Sequence, residues 1–240
     1  MMIILEKPVH YFFSVLLLFV GLAATASQAH LPGQVIQPVR QHAGTPYFIE
    51  EWTEGEVLLN TGERATGVYL RYDGLHDRLL WLIPEEGNKQ VEVDKLLVES
   101  FVLRGGGGDH LFRRVEVPML GGTAGVAIFA EVMVQGCVEL LAYRRVRISD
   151  RFGQFIDENR QVRQALMLID DPLYYLVFPG EDLRQVRANR RVLMGVAREK
   201  LSEEQYSNLH GIPGIIRNET QLRHAVESMN RVQPEFEDCD

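Results

Sequence analysis

From Glu54 onward, turn signals punctuate the chain at a spacing of roughly 8–12 residues, and apolar residues recur at every second position between them. In "GVYLRYD", Val68, Leu70 and Tyr72 alternate with Tyr69, Arg71 and Asp73. Successive strand side chains point to opposite faces, so this pattern predicts a strand buried on one side. "RLLWLIP" reads as an apolar strand closed by Pro84, and "KQVEVD" alternates through Val91 and Val93. "LLVESFVLR", "LFRRVEV" and "VAIFAEVMV" follow, and Gly136 separates the last from "CVELLAYRRVRI". "NRQVRQALMLI" fits either a short helix or a strand, and "LYYLVFPGEDLRQV" predicts a hairpin turning at Pro179-Gly180-Glu181-Asp182.

After Asn189, an N-cap candidate, the period becomes helical. "RRVLMGVAREKL" places Val192, Leu193, Val196 and Ala197 on one face. Ser202 and Gln205 have capping-box spacing. Asn218 precedes a second stripe formed by Leu222, Ala225, Val226 and Met229. The fold class is therefore α+β: mainly antiparallel β, as a sandwich, roll or partly open barrel, with a C-terminal helical segment. The expected division is a signal peptide over 1–29, an extended leader over 30–52, a β-rich domain over 53–187, and a helical segment over 188–240. That last segment packs on the sheet and ends in an acidic tail.

The N-terminus places Lys7 ahead of an uncharged run from Tyr11 to Ala26, followed by small residues. This is the layout of a secretory signal peptide, with cleavage expected after Ala26 or Ala29. Its apolar core, Ser14 to Ala26, is shorter than the ~20 residues a permanent span needs, so no transmembrane helix is expected after processing. The expected location is exported: periplasmic, outer-membrane-associated or secreted. A net charge of -8 argues against a nucleic-acid partner, which calls for a basic face. The two cysteines, Cys137 and Cys239, are expected as unpaired thiols, because Cys239 sits in the acidic end "EFEDCD".

The order "EEWTEGEVLLNTGERATGVYLRYDGLHDRLLWL … VEVDKLLVESFVL … IFAEVMVQGCVELL … YYLVFP" resembles a family of uncharacterised exported proteins of Gram-negative bacteria. In that family a G-x-V-x-L hairpin leads into an "LRYD"-type strand, and helices close the chain. The resemblance runs from about Glu50 to Arg231 and rests on turn-and-strand signals. It implies a β-rich exported protein and transfers no catalytic residue.

Four consecutive glycines, Gly105 to Gly108, suggest a phosphate cradle at first sight. A cradle needs a helix and a lysine next, whereas Asp109 and an alternating strand follow. The reading is a long, mobile hairpin connection. His76, Asp109 and His110 lie in expected loops and are the candidates for partner contact. No metal-ligand spacing, G-x-S-x-G elbow or nucleotide fingerprint occurs, so no catalytic residue, metal or cofactor is assigned. The expectation is a non-catalytic binding or scaffold module of the cell envelope, with an envelope protein or glycan as partner. The alternative is a periplasmic hydrolase whose site assembles around His76 or His110.

Overall fold

A computed structural model describes residues 31–36, 42–118, 125–157, 159–210 and 212–232. The expected signal peptide with Ala26 and Ala29, and the acidic tail with Cys239, lie outside the described residues. Eleven strands form one sheet: β1 (Gly33–Ile36), β2 (Thr53–Leu59), β3 (Arg64–Asp73), β4 (Arg78–Ile83), β5 (Lys89–Val93), β6 (Val98–Gly105), β7 (Gly108–Pro118), β8 (Gly125–Val134), β9 (Glu139–Tyr143), β12 (Leu173–Val177) and β13 (Arg184–Val186). Between β9 and β12, β10 (Val146–Ile156) and β11 (Val162–Asp170) pair as a separate two-stranded ribbon. The order across the sheet is β1-β5-β4-β3-β2-β6-β7-β8-β9-β12-β13, with antiparallel neighbours throughout. The α+β class read from the sequence is the observed one.

The sheet curls tightly. Four steps separate β3 from β8, which would be about 19 Å in a flat sheet at ~4.8 Å per strand. Yet the Tyr72 and Phe129 rings lie 6.4 Å apart, and the Phe129 N–H donates to Asp77 Oδ1 at 3.2 Å. Inside the curl, Phe101 stacks on Phe112 at 4.8 Å and meets the Phe129 ring edge-on at 5.1 Å. Val57, Leu70, Leu79 and Val93 complete this first core.

A second core shares the same sheet face. Along β8, Phe129, Glu131 and Met133 alternate inward; Phe129 belongs to the first core and Met133 to the second. Leu140, Ala142 and Leu176 join Met133 beneath α1 (Arg190–Lys200) and α3 (Glu219–Arg231). Asn189 caps α1, Asn218 caps α3, and Ser202 with Gln205 forms the capping box of α2 (Glu203–Ser207). The α3 stripe is fully buried, whereas in α1 only Leu193, Val196 and Ala197 are; Val192, expected with them, is 41% exposed.

Three readings change. The four glycines do not make a long connection: Gly105 ends β6, Gly108 begins β7, and Gly106 and Gly107 alone make the turn. Both have positive φ, 62° and 100°, as the tightest hairpin turns require, and glycine adopts these angles without strain. "CVELLAYRRVRI" breaks at Arg144-Arg145, where the Gly74 carbonyl takes the Val146 N–H and sends β10 into the ribbon. Within the segment read as a leader, Gly33–Ile36 forms the sheet edge β1 against β5. "NRQVRQALMLI", open between helix and strand, is strand β11.

Candidate functional site

Glu131 stands where the inward alternation of β8 calls for an apolar residue. Register places it opposite Phe112 on β7 and Ala142 on β9, and Ala142 lies opposite Tyr174 on β12. His110 and Arg144 each sit two residues along from members of this row, so both also point inward. The first residue of α3, Glu219, arrives from above. A seam of ionisable groups thus divides the two apolar cores.

Glu131 has a side chain only 4% exposed, and such a carboxylate survives burial only when paired and hydrogen-bonded. His110 Nδ1 lies 2.7 Å from its Oε1, and the Arg144 guanidinium grips its Oε2. Arg144 also takes Glu219 as a two-point pair, one contact being Nη2 to Oε1 at 2.8 Å. Tyr174 Oη donates to Glu219 Oε2 at 3.1 Å. Burial opposes the charge on Arg144, but its hydrogen bonds to Glu219 and the field of Glu131 outweigh it and raise its pKa. The same guanidinium holds the Glu219 carboxyl below the usual carboxylate range. Burial, with the Glu219 charge, pushes the Tyr174 phenol up to about 12.

His110 is not in a loop, as the sequence suggested, but in β7, because the hairpin turn is two residues long. With Nδ1 on Glu131, its Nε2 is buried and has no hydrogen-bond partner among the described residues. Phe48 meets the imidazole edge-on at 4.9 Å. A Cβ built on Gly106 would lie 3.6 Å from Nε2 and 3.4 Å from Ile49 Cδ1, so the glycine turn and Ile49 roof the ring. A histidine oriented by a carboxylate has the geometry of a general base. Here both Glu131 oxygens are already engaged, and no serine, threonine or cysteine side chain hydrogen-bonds the ring among the described residues.

His76 belongs to a different cluster, at the β3–β4 turn. Asp73, 1% exposed, accepts the N–H groups of Leu75 and His76 on Oδ1, and His76 Nδ1 and Arg78 Nε, both at 2.9 Å, on Oδ2. The His76 side chain itself is 56% exposed. Asp77 accepts from Tyr72 Oη at 2.8 Å and Lys95 Nζ at 2.7 Å, besides the Phe129 N–H. Burial, then the Asp77 charge, raises the Tyr72 pKa well above its ordinary value. Asp109, the third sequence candidate, stands exposed 3.8 Å from Arg104 Nε. The three loop candidates therefore do not converge. Asp77 stands next to His76 in the sequence, but Glu131, Arg144, Tyr174 and Glu219, which form the other cluster, were not singled out. The one local signal was a glutamate inside "IFAEVMV", charged at an inward position of an apolar strand.

A cavity of about 490 Å³ opens between β1, β3, β4 and β5. Leu31, Val68, Trp81 and Val91 line its apolar part, and Thr66, Glu85, Glu86 and Lys89 supply polar groups. Lys89 Nζ pairs with Glu86 Oε2 at 2.7 Å, both side chains being exposed, and Glu85 has no ion pair among the described residues. No helix among the described residues is long and apolar enough to cross a membrane.

Cys137 is disulfide-bonded, contrary to the expectation of free thiols. The reason is the landing point of α3. Asn230, one residue before its end, accepts the Val138 N–H at 2.8 Å and donates to the Val138 carbonyl at 2.9 Å. A Cβ on Gly136 would lie 2.5 Å from Asn230 Nδ2, so only glycine admits so close an approach. The C-terminal end of α3 therefore lies against the segment that carries Cys137. No family model matches this chain, and no curated protein or solved structure matches it either.

Proposed function

We propose that the protein is a non-catalytic binding module of the cell envelope, exported by its N-terminal segment. The observation that carries this reading is the contrast between two regions. The His110–Glu131 and His76–Asp73 pairs are committed to hydrogen bonds that hold the fold, whereas the cavity beside Trp81 is open, partly apolar and rimmed by polar groups. A concavity that sets polar groups beside an apolar floor can hold and orient a ligand. The disulfide at Cys137 supports export, since such bonds persist in oxidising compartments. The resemblance of its turn-and-strand order to a family of exported Gram-negative proteins supports it too.

Titration of the purified protein with envelope glycan fragments and with peptides, followed by tryptophan emission, tests the reading. Binding changes the emission of the wild type and not of Trp81→Phe, with Trp52→Phe as the control. A hydrolase is the second reading, favoured by His110 Nε2, which has no hydrogen-bond partner among the described residues. It requires the Gly106–Ile49 roof to lift. Turnover of a glycan, peptide or ester panel, abolished by Glu131→Gln in a folded protein, would replace the binding proposal with it.

A further inference from the structure

We infer that the cavity and the edge of β1 form one site, which takes an extended peptide from a partner protein by strand addition. This rests on the binding reading above and names its partner class. The argument starts from the ladder between β1 and β5, whose register pairs Gly33 with Val93, Gln34 with Glu92, Val35 with Val91 and Ile36 with Gln90. The Asp94 N–H donates to the Pro32 carbonyl at 2.9 Å, which makes Pro32 and Asp94 a hydrogen-bonded pair. Hydrogen-bonded and non-bonded pairs alternate in an antiparallel ladder. Gln34 and Ile36 therefore bond to β5, and the N–H and C=O groups of Gly33 and Val35 face away from the sheet.

Nothing among the described residues occupies that edge, and β1 pairs only with β5. Folded proteins usually protect such edges with charge, proline or brevity. The opposite edge follows this rule: β13 has three residues and opens on Arg184. Strand β1 carries "GQVI", uncharged throughout, with Val35 53% exposed. A strand laid on this edge gains main-chain hydrogen bonds from Gly33 and Val35, the two β1 residues that also line the cavity. Every second side chain of the added strand then lies on the cavity side of the sheet, next to Gly33 and Val35.

Charge selects among such peptides. Glu85 and Glu86 stand against Lys89 alone, so the rim is net negative, on a chain whose formal charge is -8. The fitting occupant is an extended segment with apolar residues at alternate positions and arginine or lysine between them.

The probe is a fluorescein-labelled peptide of sequence Arg-Val-Arg-Phe-Arg-Val-Arg, read by anisotropy against the full chain. Its control is the same peptide N-methylated at alternate residues, which keeps charge and side chains but cannot pair. Val35→Pro removes one outward donor without touching the bonds of Gln34 and Ile36, and edge strands tolerate proline. Expected results are binding by the wild type, about tenfold weaker binding by the N-methylated peptide and by folded Val35→Pro, and a flatter salt dependence in Glu85→Gln/Glu86→Gln. Equal binding of both peptides overturns the inference, as does no binding. If glycan fragments alone change Trp81 emission, the strand-addition site falls and the binding reading stands. Sedimentation as a dimer that Val35→Pro dissociates overturns the peptide in favour of a second copy.

Discussion

Replacing Arg144 by methionine strands a carboxylate inside the protein. The size of the effect depends on which regime the pairs belong to. Exposed ion pairs contribute about 0–1 kcal/mol, whereas removing one partner of a buried pair costs about 3–5 kcal/mol. The side chains of Arg144 and Glu131 are 13% and 4% exposed, so that pair belongs to the second regime. Glu219, at 32%, lies nearer the first. Arg144→Met should therefore lower stability by about 3–5 kcal/mol, equivalent to a fall in Tm on the order of 10 °C for a chain of this size. Glu219→Gln should cost only about 1 kcal/mol. The double variant Arg144→Met/Glu131→Gln should be more stable than Arg144→Met alone, because the stranded charge leaves with its partner. Urea unfolding followed by circular dichroism, with m held to a common value, measures all three. The pH dependence offers a second check. The Glu219 pKa is depressed in the folded state, so its pairing contributes fully above the ordinary 4.5 and is lost as pH falls through the folded value. Arg144→Met should flatten that acid limb. A cost below about 1 kcal/mol for Arg144→Met would refute the buried-seam argument.

Three further outcomes are expected. Folded Tyr174 and Tyr143 both have pKa values pushed up to about 12, by burial first and then by Glu219 and Asp77 respectively. Absorbance at the tyrosinate band should show native protein ionising later than urea-unfolded protein, and stability should fall as pH rises between the ordinary 10 and about 12, the window in which only the unfolded chain loses these protons. Gly107→Val, at φ 100°, should destabilise by roughly 1–2 kcal/mol in the same urea assay, and an unchanged midpoint would contradict the two-residue turn. Phe152, Ile156 and Val162 are 70%, 63% and 65% exposed on the β10–β11 ribbon. Their joint replacement by serine and threonine should leave stability within about 0.5 kcal/mol per site and reduce light scattering on concentration.

What the sequence disclosed follows the range of the interactions involved. The strand of Val68, Leu70 and Tyr72, the caps at Asn189 and Asn218 and the stripe of α3 all arise from neighbours within a few residues, and all are found where local pattern places them. The Arg144–Glu219 contact spans 75 residues, so no local spacing announces it. The same holds for Cys137, whose surroundings are set by Asn230, 92 residues from Val138. His110 was noticed for the wrong reason: four glycines suggested a slack loop, whereas two of them end strands. Val192 shows the limit of helical periodicity, since a stripe read on a wheel is one residue wider than the face that α1 buries.

The position of Asp77 decides how the curled sheet behaves when it fails. A closed ladder spreads its load over many main-chain bonds, which yield one after another. Here, beside ring packing and the Gly74–Val146 bond, one carboxylate ties the β3–β4 turn to the Phe129 N–H and to Lys95. A clasp lets go in a single event. Asp77→Asn keeps the Oδ1 acceptor of the Phe129 N–H and loses only the charge that holds Lys95, whereas Asp77→Ala removes both and leaves the curl to ring packing and the Gly74–Val146 bond. In Asp77→Ala the side nearest the stacked rings of Phe101 and Phe112 is then the first to loosen, with every strand still paired to its neighbours.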